Sequence, residues 1–169
     1  MPNHLTSRRR ASASRCLGFA ALVSMSFAAH SATGSTTFAV TATVVGTCVV
    51  LASPLSFGNY AMAQIDAATS VGVTCTNGTT YTISLGAGTG VGANVATRKL
   101  TGPSGQTLDY SLYQDVPRTT LWGQTIGTDA VAGTGSGTAQ TLTVYGRIPG
   151  AQGAGAGAYA DTITVTLTY

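Results

Sequence analysis

Charged side chains are scarce in this sequence, and the residues that most enzymes use for catalysis are nearly missing. Glutamate is absent, and the 169 residues include only five aspartates and two histidines. Both histidines, His4 and His30, lie near the N-terminus. Triads, general acid–base pairs and hydrolytic metal sites depend on His or on positioned carboxylates. We therefore expect no enzymatic activity, and we assign the aspartates to turn and surface hydrogen bonds.

Helical periodicity is also lacking, which narrows the fold class. Gly, Thr, Ala and Val dominate, and this composition is typical of strands and turns. Residues 88–93 match the dinucleotide-binding pattern G-x-G-x-x-A, but the residues that follow are poor helix formers. That pattern binds a pyrophosphate only where it opens a helix, so we expect no nucleotide and no other small-molecule cofactor.

The N-terminal segment has the composition of an export signal. Four arginines, Arg8, Arg9, Arg10 and Arg15, precede an apolar run that ends in small residues. We expect residues 1–31 to be a signal peptide cleaved between Ala28 and Ala32, and residues 32–169 to be the exported domain. The alternative interpretation is an N-terminal membrane anchor, for which the run is short.

Loss of the signal would also change the charge of the chain. Four basic residues would then remain against five acidic ones, a net charge of about −1. A nearly neutral domain gives no reason to expect nucleic-acid binding or a basic membrane-binding patch.

Two cysteines, Cys48 and Cys75, lie in the expected exported domain. An even number of cysteines in an exported chain predicts a disulfide. Two free thiols are the alternative, and a metal site is less favoured because the domain lacks His and Glu ligands.

Alternating apolar and polar residues predict an all-β sandwich. The candidate strands cover residues 37–45, 48–51, 55–57, 69–76, 79–86, 107–113, 139–146 and 161–169.

One pair of candidate strands flanks Asn77-Gly78, a common hairpin turn. If the two strands are neighbours, burial of one common apolar face favours a three-residue loop that pairs Cys75 with Tyr81. A two-residue turn would instead pair Cys75 with Thr80.

Several short motifs, taken in order, resemble those of one known family, the spore coat protein U domain of Csu-type (archaic) chaperone–usher pilins. The motifs are Gly46-Thr47-Cys48, Leu55-Ser56-Phe57-Gly58-Asn59-Tyr60, Val73-Thr74-Cys75, residues 108–113, Trp122-Gly123, residues 144–149 and residues 157–161.

The resemblance implies an immunoglobulin-like pilin sandwich that is incomplete and is completed by a donor strand from another molecule. It implies a donor strand within residues 32–45, a Cys48–Cys75 disulfide, and a C-terminal edge strand that pairs with a periplasmic chaperone. The expected donor residues are Phe38, Val40, Ala42 and Val44, and the expected groove residues of the edge strand are Ile163, Val165, Leu167 and Tyr169.

The leading functional hypothesis is therefore a structural subunit of a surface fimbria, assembled by the chaperone–usher pathway and supporting adhesion or biofilm. Its expected partners are a periplasmic chaperone, an outer-membrane usher and neighbouring pilin subunits. Two alternatives stay open. One is a tip adhesin that contacts a surface through glycine-rich loops near Trp122, and the other is a secreted coat protein that fills its own groove.

Overall fold

The computed structural model describes residues 29–169, so the predicted signal peptide lies mostly outside the described residues. Two units are distinguished, with the division after Thr41. The described part of the first unit, residues 29–41, has no regular secondary structure and is exposed throughout.

Eight strands make up the second unit, residues 42–169. They are β1 (Cys48–Ala52), β2 (Ile65–Cys75), β3 (Thr80–Leu85), β4 (Arg98–Thr101), β5 (Thr107–Tyr113), β6 (Val131–Thr134), β7 (Ala139–Ile148) and β8 (Val165–Thr168). The order in one sheet is β1-β2-β7-β5-β4, and in the other it is β6-β3-β8. All strand pairs are antiparallel, which confirms the predicted all-β sandwich.

The core lies between the two sheets and follows the period of two seen in the sequence. Val71 and Val73 of β2 face inward from the larger sheet, while Ile83 and Leu85 of β3 face inward from the smaller one. All four side chains are almost completely buried. The other buried apolar side chains are Cys75, Tyr81, Leu108, Tyr110, Leu112, Trp122, Val144 and Ile148.

The hairpin between residues 69–76 and 79–86 was predicted only if the two strands were neighbours, and that condition is not met, because β2 and β3 belong to different sheets. Cys75 is paired with Cys48 of β1, and Tyr81 is paired with Gly133 of β6. The Asn-Gly pair does form a turn, in which Thr79 N–H donates to Thr76 O and Gly78 has a positive φ. The apolar faces of β2 and β3 are buried in one common core, as expected. They reach it from two sheets that face each other, and not as paired strands of one hairpin.

Other predicted elements also differ from the observed ones. Residues 37–45 and 55–57 form no strand, and both β4 and β6 lie outside the predicted segments. A strand requires a hydrogen-bonding neighbour, and alternation alone does not supply one to residues 37–45. In β4 the alternation is hard to recognise because the strand has only four residues and one of its two inward residues is an arginine, Arg98.

Candidate functional site: an apolar groove between two sheet edges

The edges of the two sheets are the part of the domain most suited to binding. β1 ends the larger sheet and β8 ends the smaller one. The two strands come near each other without forming a β-pair. Each therefore has unpaired backbone N–H and C=O groups along one side, which is the arrangement that accepts an added strand.

An apolar groove of about 320 Å³ opens beside these edges. One wall is the chain from Ala52 to Phe57, directly after β1, and the other is the chain from Asp161 to Val165, leading into β8. The floor consists of core side chains from both sheets, namely Val71, Leu85, Leu100, Tyr110, Leu112 and Val144. A row of apolar side chains could replace water there and complete the sandwich.

The groove continues into a second, larger depression of about 760 Å³. The two spaces share Leu55, Phe57 and Leu100 as lining residues. The second space runs between the loop 58–60 and the glycine- and alanine-rich loop 154–159. The open surface available to a bound segment therefore extends beyond the groove toward these two loops.

The wall after β1 is held in place by packing on a glycine. A Cβ atom at Gly146 of β7 would lie 2.7 Å from both Leu55 Cδ2 and Phe57 Cζ. The ring of Phe57 also meets the ring of Tyr110 edge-on, with 5.9 Å between the ring centroids. This wall thus depends on the absence of a side chain at position 146.

The wall before β8 is held by the carboxylate of Asp161. Its Oδ1 accepts hydrogen bonds from the backbone N–H of Thr89 (2.7 Å), the hydroxyl of Thr89 (2.8 Å) and the backbone N–H of Thr162 (2.7 Å). Its Oδ2 accepts the phenol proton of Tyr110 at 2.7 Å. These bonds tie the wall to the loop after β3 and to the floor.

The pKa shifts of Asp161 and Tyr110 agree with a hydrogen bond between the wall and the floor. Partial burial on its own raises the pKa of Asp161, but the bonds from Thr89, Tyr110 and Thr162 outweigh it and hold that pKa below the ordinary value. Burial, together with the bond to Asp161, raises the pKa of Tyr110 well above its ordinary range. The pair is therefore a phenol donating to a carboxylate at every physiological pH.

A buried arginine, Arg98, binds the backbone of the groove floor. Arg98 is 0% exposed, and its guanidinium donates to four backbone carbonyls. The acceptors are Gly86 O at 2.8 Å, Val95 O at 2.9 Å, Leu85 O at 3.1 Å and Trp122 O at 2.7 Å. Burial lowers the pKa of Arg98, yet an arginine stays charged in proteins. Arg98 thus joins the end of β3 to the loops that follow it.

The profile of one protein family, the Spore Coat Protein U domain, matches residues 34–166, which is most of the chain and the whole of the groove. The chain belongs to the Spore Coat Protein U domain family. The resemblance predicted from the ordered motifs is confirmed. Membership of this family also confirms that the chain is a structural protein and not an enzyme.

One further comparison agrees with the family and another with the fold. Protein U of Myxococcus xanthus is 34% identical over 158 residues, which cover 83% of this chain and 88% of the relative. The fold is similar to a chain in the crystal structure of the CsuC-CsuE chaperone-tip adhesion subunit pre-assembly complex from archaic chaperone-usher Csu pili of Acinetobacter baumannii. The TM-score is 0.58 at 22% identity, over 75% of this chain and 41% of that one.

The likeness to the Csu chain confirms the predicted sandwich of the pilin type and shows the fold alone. The Spore Coat Protein U chain spans about two fifths of the matched Csu chain. No helix among residues 29–169 is both long and apolar enough to cross a membrane. Within the same range no cluster of His, Cys, Asp or Glu has the composition of a metal site.

The predicted donor residues are among the most exposed apolar side chains described. Phe38 is 85% exposed, Val40 is 83% exposed and Val44 is 81% exposed, and Ala42 is exposed as well. Exposed apolar surface of this kind is typical of a site that binds another protein.

The predicted residues of the C-terminal edge lie in three different places. Ile163 and Val165 line the groove, and Leu167 packs against the core from β8. Tyr169 is 63% exposed and lines a depression beside Thr168 on the other face of the smaller sheet. The disulfide joins Cys48 to Cys75 and thereby fastens β1 to β2.

Sequence reasoning missed the residues that shape the groove walls. From its position in the sequence Asp161 is predicted to lie in an ordinary turn, and nothing in the local pattern indicates that Arg98 belongs to the core. The motifs that contain Phe57 and Tyr110 are visible in the sequence, but the contact between the two rings appears only in the structure. One sequence signal could have identified Asp161 as a wall residue. In a chain with few charges, this aspartate stands directly before the alternating C-terminal segment.

Proposed function

We propose that this protein is a structural subunit of a surface fimbria that assembles by donor-strand exchange. The groove beside β1 and β8 receives residues 32–45 of a second copy or of a closely related subunit. Before assembly, a periplasmic chaperone occupies the same groove, and an outer-membrane usher then exchanges it for the donor segment. Residues 1–31 direct export, with cleavage between Ala28 and Ala32.

One observation carries this proposal: the domain has an open apolar groove beside two edge strands, and the same chain exposes an alternating apolar segment. The donor face carries Phe38, Val40, Ala42 and Val44. Full burial of the three larger side chains contributes roughly 5–9 kcal/mol, at about 1.5–3 kcal/mol each. The backbone bonds along both edges add to this, and the entropy of association opposes it.

Family membership and the pilin-type fold support a fimbrial role at the cell surface, where adhesion and biofilm formation are the expected outcomes. The tip-adhesin alternative would have to rely on the glycine-rich loops without Trp122. Trp122 is only 1% exposed, and its indole N–H donates to Ile83 O, so it belongs to the core and does not reach a surface ligand.

The test is a matched pair of charge substitutions in the donor segment. Val40→Asp places a carboxylate on the face that enters the groove, and Thr41→Asp places the same group one residue later, on the opposite face. An unpaired buried carboxylate is strongly unfavourable. We expect V40D to abolish heat-resistant polymers while T41D retains them, as judged by gel electrophoresis of unheated samples.

Deletion of residues 32–44 completes the test. The truncated chain should still bind its chaperone in the periplasm but form no polymers. Polymers that survive the deletion, or that are equally abundant in V40D and T41D, would overturn the proposal.

A further inference from the structure

The three residues between Val44, the last of the named donor residues, and β1 are bound to the rest of the domain. We call Val45–Thr47 the linker and Thr76–Thr79 the turn. Thr76 N–H donates to Thr47 O at 2.9 Å, and Thr47 N–H donates to the hydroxyl oxygen of Thr76 at 3.1 Å. The hydroxyl proton of Thr76 has three acceptors in reach, Thr47 Oγ1 at 3.2 Å, Thr47 O at 3.4 Å and Val45 O at 3.5 Å.

The linker also packs closely on the other end of the turn. A Cβ atom at Gly46 would lie 2.9 Å from Thr79 Oγ1 and 3.4 Å from Thr79 Cγ2. The linker backbone thus lies directly against the Thr79 side chain. Together, Thr76 and Thr79 hold the linker as a continuation of β1 along the end of β2.

This attachment affects which groove the donor segment can enter. Only the linker separates the donor residues from β1 in the chain. To lie beside β1 in its own groove the donor segment would have to reverse direction and form an antiparallel hairpin with β1. Tight hairpin turns need residues that adopt a positive φ, chiefly glycine or asparagine.

Gly46 is the one residue of that kind between Gly34 and β1, and it is held against Thr79. A reversal upstream of the linker would fall on Thr43 and Val44. Both are β-branched and unsuited to such a turn, and the reversal would remove Val44 from the donor face.

We propose that Thr76 and Thr79 act as a clamp on the linker that prevents the donor segment from filling its own groove and so reserves it for a second copy of this chain. The inference rests on the proposed donor-strand function and names the partner within it. It also distinguishes a polymerising subunit from a self-complemented coat protein.

The test compares Thr76→Val, which removes the hydroxyl with little change of shape, with Thr74→Val, the same change two residues earlier on the exposed face of β2. Thr76→Ser keeps the hydroxyl and should behave like the wild type. Each full-length exported chain is titrated with a fluorescent peptide of residues 32–45, and groove occupancy is read from fluorescence anisotropy.

We expect the wild type, T74V and T76S to bind the peptide equally. T76V should bind it more weakly, by at most about tenfold, since the loss of about one hydrogen bond raises filling of the groove by the chain's own segment by no more than that factor. Deleting residues 32–44 from T76V should restore the wild-type affinity, because no competing segment remains. Thr79→Ala provides a second way of loosening the linker if T76V folds poorly.

The outcomes separate the two proposals. If the deletion variant without other changes fails to bind the peptide, the donor-strand function itself is wrong. If that variant binds the peptide but T76V and T79A both match T74V, only the clamp is wrong.

Discussion

Replacing Asp161 with asparagine should weaken the groove wall while leaving its shape nearly unchanged. Asparagine keeps an oxygen for the three donors that now reach Oδ1, and its amide group would face the phenol of Tyr110. What disappears is the negative charge. Hydrogen bonds to charged groups contribute about 1.5–3 kcal/mol each, against about 0.5–1.5 kcal/mol for neutral ones.

Four such bonds converge on Asp161, but they share one carboxylate and are not additive. We therefore expect D161N to lower the free energy of unfolding by about 2–3 kcal/mol. Asp115 supplies a matched control, because its carboxylate also accepts bonds from neighbouring backbone N–H groups and from a threonine hydroxyl, but on an exposed loop. The free energy of unfolding should fall clearly less in D115N than in D161N.

Urea unfolding measures the free energy of unfolding of both variants, with the fluorescence of the single tryptophan, Trp122, as the signal. The pH dependence gives a second readout. Since the folded-state pKa of Asp161 is lowered, its contribution is present above the unfolded pKa, about 4, and is lost as the pH falls through the folded pKa. The stability difference between wild type and D161N should therefore shrink as the pH is lowered below about 4.

Equal losses for D161N and D115N would refute this reasoning, because the partly buried network around Asp161 would then contribute no more to stability than the bonds of an exposed turn. A stability difference that stays constant through the acid range would refute it as well, since the lost interaction would not be the charged one.

Three further predictions concern the framework around the groove. Gly146→Ala places a methyl group against the wall after β1 and should weaken binding of the 32–45 peptide about tenfold by calorimetry, since crowding costs about 1–3 kcal/mol; unchanged binding would show that the wall does not depend on this glycine. Arg98→Met should lower the free energy of unfolding by at least about 3 kcal/mol in urea because four buried carbonyls lose their donor, and a loss below about 1 kcal/mol would contradict that role. Replacing Cys48 and Cys75 together with serine opens a loop of 27 residues and should cost about 3–4 kcal/mol; thermal unfolding would argue against this if the melting temperature stayed the same.

Prediction from the sequence succeeded where a residue's role depends on its immediate neighbours in the chain. The alternation in residues 107–113 and 139–146 predicted β5 and most of β7, because burial of one face needs only a period of two. The pairing of Cys48 with Cys75 followed from the number of cysteines in an exported chain.

Prediction failed where the outcome depends on which strands become neighbours. Alternation predicted a strand at residues 37–45, yet no neighbour pairs with it there. The Asn77-Gly78 turn was foreseen, but the local pattern is the same whether the next strand pairs with β2 or crosses to the other sheet. β4 was missed because a buried arginine looks like a surface residue until its four carbonyl acceptors are known.

The sequence by itself therefore determined the class of this protein: an all-β domain with few charges, one disulfide and an alternating apolar segment ahead of it. These properties follow from composition and short-range periodicity, which hold in any arrangement of the strands. Only the tertiary structure decided that β1 and β8 stand as unpaired edges beside a common groove, with Asp161 and Gly146 shaping its walls. The physical reason is that an edge, a groove and a buried hydrogen-bond network each depend on residues far apart in the chain.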